Sequence, residues 1–90
     1  MTKPSVSLGA TVVSKAGRDE GRTFLVVEEL DENYVLISDG DTHRMAKPKK
    51  KKRKHLKVSC EAVNEIIERL KAPEGMQDHE VRKWLSDKEE

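Results

Sequence analysis

Between Ala10 and Val58 the sequence breaks into short β-branched runs set apart by turn residues, and this pattern restricts the fold more than any other feature. Ala10–Ser14 (ATVVS), Thr23–Leu30 (TFLVVEEL) and Tyr34–Ser38 (YVLIS) read as strands. Asp31-Glu32-Asn33 supplies the turn between the last two, and Asp39-Gly40 is a tight-turn dipeptide. Beyond it Thr42–Met45 is placed as a fourth strand and His55–Val58 as a fifth. Strands this short and this close in sequence cannot build two packed sheets. They predict one strongly curled antiparallel barrel, with Val12, Val26 and Leu36 or their neighbours at its centre. Phe24–Val27 breaks the alternation of a one-sided strand, so a further element must cover its second face.

The last third of the chain supplies that element. Ser59 is placed as the cap of a helix starting at Cys60, with Val63, Ile66, Ile67 and Leu70 at i, i+3, i+4, i+7. Ala72-Pro73-Glu74-Gly75 ends it. Asp78 is placed as the cap of a second helix whose stripe is Val81, Trp84 and Leu85. Met1–Ser7, with Pro and Ser and no periodicity, reads as a frayed lead-in. The expected organisation is therefore a mainly β barrel over residues 8–58, with a helical tail of two short helices over 59–90. Tyr34 and Trp84 could serve as binding aromatics, but among aliphatic neighbours they are read as core residues.

Charge separates the two parts. Residues 1–57 hold 13 Lys/Arg against 8 Asp/Glu (+5), and 58–90 hold 5 against 9 (−4), which together give the net +1. A near-neutral total thus hides a basic working surface and a tail unsuited to a polyanion. The densest feature is Lys47–Lys57, where 8 of 11 residues are Lys or Arg. Such a block repels itself and is expected to form a mobile loop over 47–55. Besides polyanion binding, a solubility patch and a nuclear localisation signal fit its composition. With no aromatic residue close to it in sequence, binding is expected to follow phosphate and RNA shape rather than base stacking.

Gly9–Arg22 reads GATVVSKAGRDEGR. A glycine before a hydrophobic strand, then Lys15-Ala16-Gly17-Arg18-Asp19-Glu20-Gly21-Arg22, then another hydrophobic strand, resembles the KOW motif. That motif occurs in several large-subunit ribosomal proteins and in elongation factors of the NusG type. The adjoining lysine run and short helical tail look like small bacterial KOW-domain proteins related to archaeal and eukaryotic large-subunit ribosomal proteins. The resemblance covers about residues 8–56 and implies a small SH3-like barrel that binds RNA, rRNA of the large subunit above all. It also implies contacts with ribosomal or transcription-machinery proteins, and a protein-interaction module is the competing reading.

The residues themselves are compatible with RNA contact and also with a plain hairpin loop in which Asp19 and Glu20 partly cancel the arginines. Gly17 and Gly21 permit positive φ and close backbone approach, while Lys15, Arg18 and Arg22 surround the loop with phosphate-binding groups. The candidate RNA contacts are Lys15, Gly17, Arg18, Gly21, Arg22, Arg44, Lys47, Lys49, Lys50, Lys51, Lys52, Arg53, Lys54 and His55.

Catalysis finds no footing. There is no nucleophile–base set, P-loop or dinucleotide fingerprint, and neither the histidines nor Cys60 have zinc-like spacing. Asp39-Gly40-Asp41 lacks the further acidic positions of a calcium loop. No stretch approaches the roughly 20 apolar residues of a membrane span. The expectation is a cytoplasmic, non-enzymatic protein without cofactor or metal, monomeric when free.

Overall fold

The computed structural model describes residues 6–88. Five strands, β1 (Thr11–Ser14), β2 (Thr23–Glu29), β3 (Tyr34–Ser38), β4 (Lys49–Lys52) and β5 (Leu56–Cys60), precede two helices, α1 (Asn64–Lys71) and α2 (Asp78–Lys88). The strands form one antiparallel sheet in the order β4-β3-β2-β1-β5. β4 and β5 thus stand at opposite ends of the order, yet a single 3-10 turn of three residues, Arg53–His55, joins them. So short a connection is possible only if the sheet rolls up until its edges approach, and the result is a small barrel of the SH3-like, KOW type.

Two apolar clusters hold the molecule together. Ala10, Val12, Phe24, Val26, Val35, Ile37 and Leu56 fill the barrel. Leu25 points the other way and is buried with Ile66, Met76, Val81 and Leu85 beneath the helices. β2 therefore lacks alternation because its two faces serve two cores, as its sequence implied. Trp84 packs at the edge of the second cluster, and its indole N–H donates to Thr11 Oγ1 at 3.0 Å. Val12 and Val26 stand at the barrel centre as expected, and on β3 it is the neighbours of Leu36, Val35 and Ile37, that point inward, leaving Leu36 half-buried. By the same alternation Tyr34 stands half-buried on the outer face of the barrel rather than in the core.

The structure corrects three further expectations. The fourth strand is Lys49–Lys52, inside the run read as a mobile loop, and Thr42–Met45 is a loop. Side chains settle the second case: Asp39 Oδ1 accepts the N–H groups of Asp41 and His43 (both 2.9 Å), and Ser38 Oγ donates to the His43 carbonyl at 2.6 Å. These local bonds displace a ladder. The lysine run, in contrast, pairs its backbone with β3 (Tyr34↔Lys52, Leu36↔Lys50) while its side chains diverge to opposite faces. Lysine is well placed on such an edge, where it also discourages pairing with another chain.

The second correction is at Ser59 and Cys60, which continue β5, with Cys60 opposite Thr11. Helix α1 starts only at Asn64, so Val63 precedes it and is 39% exposed. Helix α2 does begin at Asp78, but that carboxylate accepts the Met45 N–H at 2.7 Å, tying the helix to the β3–β4 loop. At this contact Gly40 (φ +73) has no room for a side chain, since a Cβ would lie 2.3 Å from the Asp78 carbonyl oxygen.

The third concerns the lead-in. Residues 1–5 lie outside the described residues. Val6, however, packs against the barrel core and its carbonyl accepts from the Arg53 guanidinium.

Candidate nucleic-acid interface

The loop between β1 and β2 is tightly self-bonded. Gly17 and Gly21 take φ of +78° and +86°, the left-handed region that a side chain strains. The Gly21 N–H donates to the Ser14 carbonyl (2.8 Å), the Arg22 N–H to Asp19 (2.9 Å), and Ser14 Oγ to Ala16 (2.9 Å). This folding turns Asp19 inward, where it is 6% exposed. Its carboxylate receives Lys49 Nζ at 3.0 Å, faces His43 Nε2 at 3.4 Å, and has Arg22 at 3.6 Å. The hydrogen bond from Lys49, helped by His43, holds its pKa below the usual carboxylate range against the opposing effect of burial.

This arrangement sorts the candidate cations. Arg22 is tied to Asp39 (2.9 Å) and Thr42 Oγ1 (3.2 Å). Lys49 is spent on Asp19, and Lys51 Nζ donates to the Ala16 carbonyl at 3.2 Å. Arg53 donates to the carbonyls of Val6 and Asp31 and pairs with Glu29 at 2.9 Å, depressing the Glu29 pKa. Lys49, Lys51 and Arg53 thus brace loops against β4 and the turn after it, and Arg22 ties the start of β2 to the loop after β3. Arg44 is exposed and donates through Nε to the Asp41 carbonyl at 3.3 Å.

Lys15, Arg18, Lys47, Lys52 and Lys54 are exposed and make no side-chain hydrogen bond or ion pair with any described residue. Lys50, also exposed, rests its ammonium 4.4 Å from the Tyr34 ring centroid. His55 connects the two sequence features. Its pKa is lowered, first by desolvation and then by Lys54, Lys52, Lys51 and Lys15, so the glycine loop and the lysine run share one cationic field. The Lys15 N–H donates to the His55 carbonyl at 2.7 Å, which seats Lys15 beside His55 next to Lys52 and Lys54, whereas Arg22, Lys49, Lys51 and Arg53 are diverted to internal work.

Sequence reasoning leaves Lys57 out of the candidate contacts and prefers a core role for Tyr34 over a binding one. Lys57 is exposed on β5, alternating with Leu56 and Val58. Tyr34 sits opposite Lys52 and under Lys50, a placement legible only if the lysine run is taken as a strand. Among the described residues no three His, Cys, Asp or Glu side chains are grouped so as to hold a metal ion. No helix among them is long and apolar enough to cross a membrane.

A preorganised basic surface on a small barrel is one that many proteins could share, and comparison with known proteins narrows it. No protein-family model matches the chain. Large ribosomal subunit protein eL14 of Desulfurococcus amylolyticus is 30% identical over 84 residues, spanning 93% of this chain and 80% of the relative. The chain belongs to the eL14 family. The eL14 protein of Hyperthermus butylicus is likewise 30% identical over 84 residues, and that of Pyrobaculum arsenaticum 35% identical over 78 residues. Since eL14 is a KOW-containing large-subunit ribosomal protein, the resemblance drawn from Gly9 to Arg22 identified the right group. The eL14 match also runs beyond the motif, covering 93% of the chain and hence most of the helical part.

Proposed function

We propose that this protein is a non-enzymatic RNA-binding component of the large ribosomal subunit in the cytoplasm, holding rRNA chiefly through phosphate. The observation that carries the reading is the backbone hydrogen bond of 2.7 Å from Lys15 to His55, which seats the glycine loop beside the exposed Lys52 and Lys54, on a chain of the eL14 family. Like charges gathered this closely repel one another in the free protein, and a phosphate backbone relieves that repulsion while releasing counterions. Arg18, Lys47, Lys50 and Lys57 extend the surface, and Arg44 lies at its margin. Arg22, Lys49 and Arg53 act from behind, by fixing the loop and the β4 edge. Residues 61–90 are net acidic, and the two helices they carry, α1 and α2, take no direct part in phosphate contact. The free protein is a monomer, and ribosomal proteins beside the rRNA site are its natural neighbours.

Co-sedimentation with large ribosomal subunits, before and after RNase treatment, tests this. RNase-sensitive association that weakens with salt is expected. Association that survives RNase would favour docking on protein instead.

A further inference from the structure

Tyr34 is an aromatic residue on the outer face of a basic strand pair, and this placement carries an inference beyond phosphate binding. Its neighbours Val35 and Ile37 point into the barrel, so the ring faces outward. It lies directly opposite Lys52, and the Lys50 ammonium rests over one ring face, 4.4 Å from the centroid. An exposed cation–π contact of this kind is weak and readily displaced. Beside the ring lies a cleft of about 400 Å³ lined by Glu32, Asn33, Tyr34, Lys52, Arg53 and Lys54.

The frame of this cleft is rigid. Asp31 Oδ1 accepts the N–H groups of Asn33 and Tyr34, both at 2.8 Å, and the Arg53 N–H donates to the Asn33 carbonyl at 2.8 Å. The Arg53 guanidinium further grips the Asp31 carbonyl. Chemistry divides the cleft into two sides. Lys52 and Lys54 offer free ammonium groups, whereas Glu32 repels phosphate and the Asn33 amide, which makes no side-chain hydrogen bond to a described residue, presents a donor and an acceptor. A group with a flat polar body and anionic flanks fits such a division. Bases in a duplex hide their faces, so the body must be unpaired.

We propose that this cleft receives one unpaired nucleotide of RNA, with the base on the Tyr34 ring, its edge on Asn33 and Glu32, and the adjoining phosphates on Lys52 and Lys54. The proposal rests on the reading of the chain as an RNA-binding protein, and it adds a preference for unpaired over paired RNA. The test compares the full chain with its Tyr34→Leu and Tyr34→Phe variants against a single-stranded oligoribonucleotide and a blunt RNA duplex of equal length.

Loss of base stacking should weaken single-strand binding of Tyr34→Leu roughly 10-fold. Duplex binding should change less than about 2-fold, and Tyr34→Phe should behave as the parent. A single-stranded probe carrying 5-iodouracil should cross-link to Tyr34 under ultraviolet light. Equal weakening on both probes, or none on the single strand, overturns the nucleotide pocket while leaving phosphate binding in place. Failure of the parent chain to bind either probe overturns both readings.

Discussion

At the scale of single residues, three arginines near the surface have different jobs. Arg18 is exposed and unpaired among the described residues, whereas Arg22 bonds Asp39 and Arg53 pairs with Glu29. The positive φ of Gly17 and Gly21 was legible in the spacing GRDEG, because glycine, lacking a Cβ, takes that region at little cost in a tight turn. The division of labour between Arg18 and Arg22 was not, because the partner of Arg22 is 17 residues away in sequence. Arg18→Ala should leave the melting temperature unchanged and flatten the salt dependence of RNA binding by about 0.7–0.9 in log–log slope. Arg22→Ala should lower stability by about 1–2 kcal/mol in chemical denaturation, because it strands nearly buried carboxylate oxygens. The histidine at the centre of the cationic field gives a pH prediction. The folded protein holds the His55 pKa below its ordinary 6.5, so the unfolded chain protonates first and stability declines as pH falls through that value. A bound phosphate reverses the local field and favours the protonated ring. RNA affinity should therefore rise between pH 7.5 and 5.5, and His55→Ala should reduce that rise in a filter-binding series.

At the scale of elements, β4 is the lesson. A run of lysines suggests a mobile loop when only its charge is considered, and the decisive facts are cross-strand ones: a free edge on β3, an inward Asp19 to receive Lys49, and a carbonyl at Ala16 to receive Lys51. None of these is local in sequence. The hydrophobic strands β1, β2 and β3, in contrast, carry their own signal and sit where the sequence put them. Alternation along β4 predicts that its lysines fall into two classes, and Lys54 in the following turn joins the exposed one. Replacing Lys50, Lys52 and Lys54 together by Gln should weaken RNA binding strongly with the thermal melt unmoved. Replacing Lys49 and Lys51 should instead cost about 1–2 kcal/mol of stability through the buried Asp19 and the braced loop. If both sets weaken binding alike and neither alters the melt, β4 is not structured as described.

At the scale of the whole molecule, barrel and helices share β2 as a common wall. Leu25 alone among the fully buried β2 residues enters the helical cluster, where it meets Ile66, Met76, Val81 and Leu85. Leu25→Ala should therefore cost about 2–5 kcal/mol, and hydrogen exchange should show the helices loosening before the barrel. The sequence conveyed this two-sided strand through its missing alternation. The capping of α1 was illegible, because Ser59 and Cys60 join β5 through a pairing with Thr11 far away in the chain. Charge separation operates at the same scale, since the +5 and −4 parts of the chain nearly cancel in the total. The most direct test of the basic surface is the affinity for a naked fragment of large-subunit rRNA between 50 and 200 mM monovalent salt. With about six phosphates engaged, the log–log slope should be about −4 to −5, a loss of roughly 250- to 1,000-fold across that range. A slope near zero would contradict the account, because a surface built from free lysines cannot hold RNA without sensing salt.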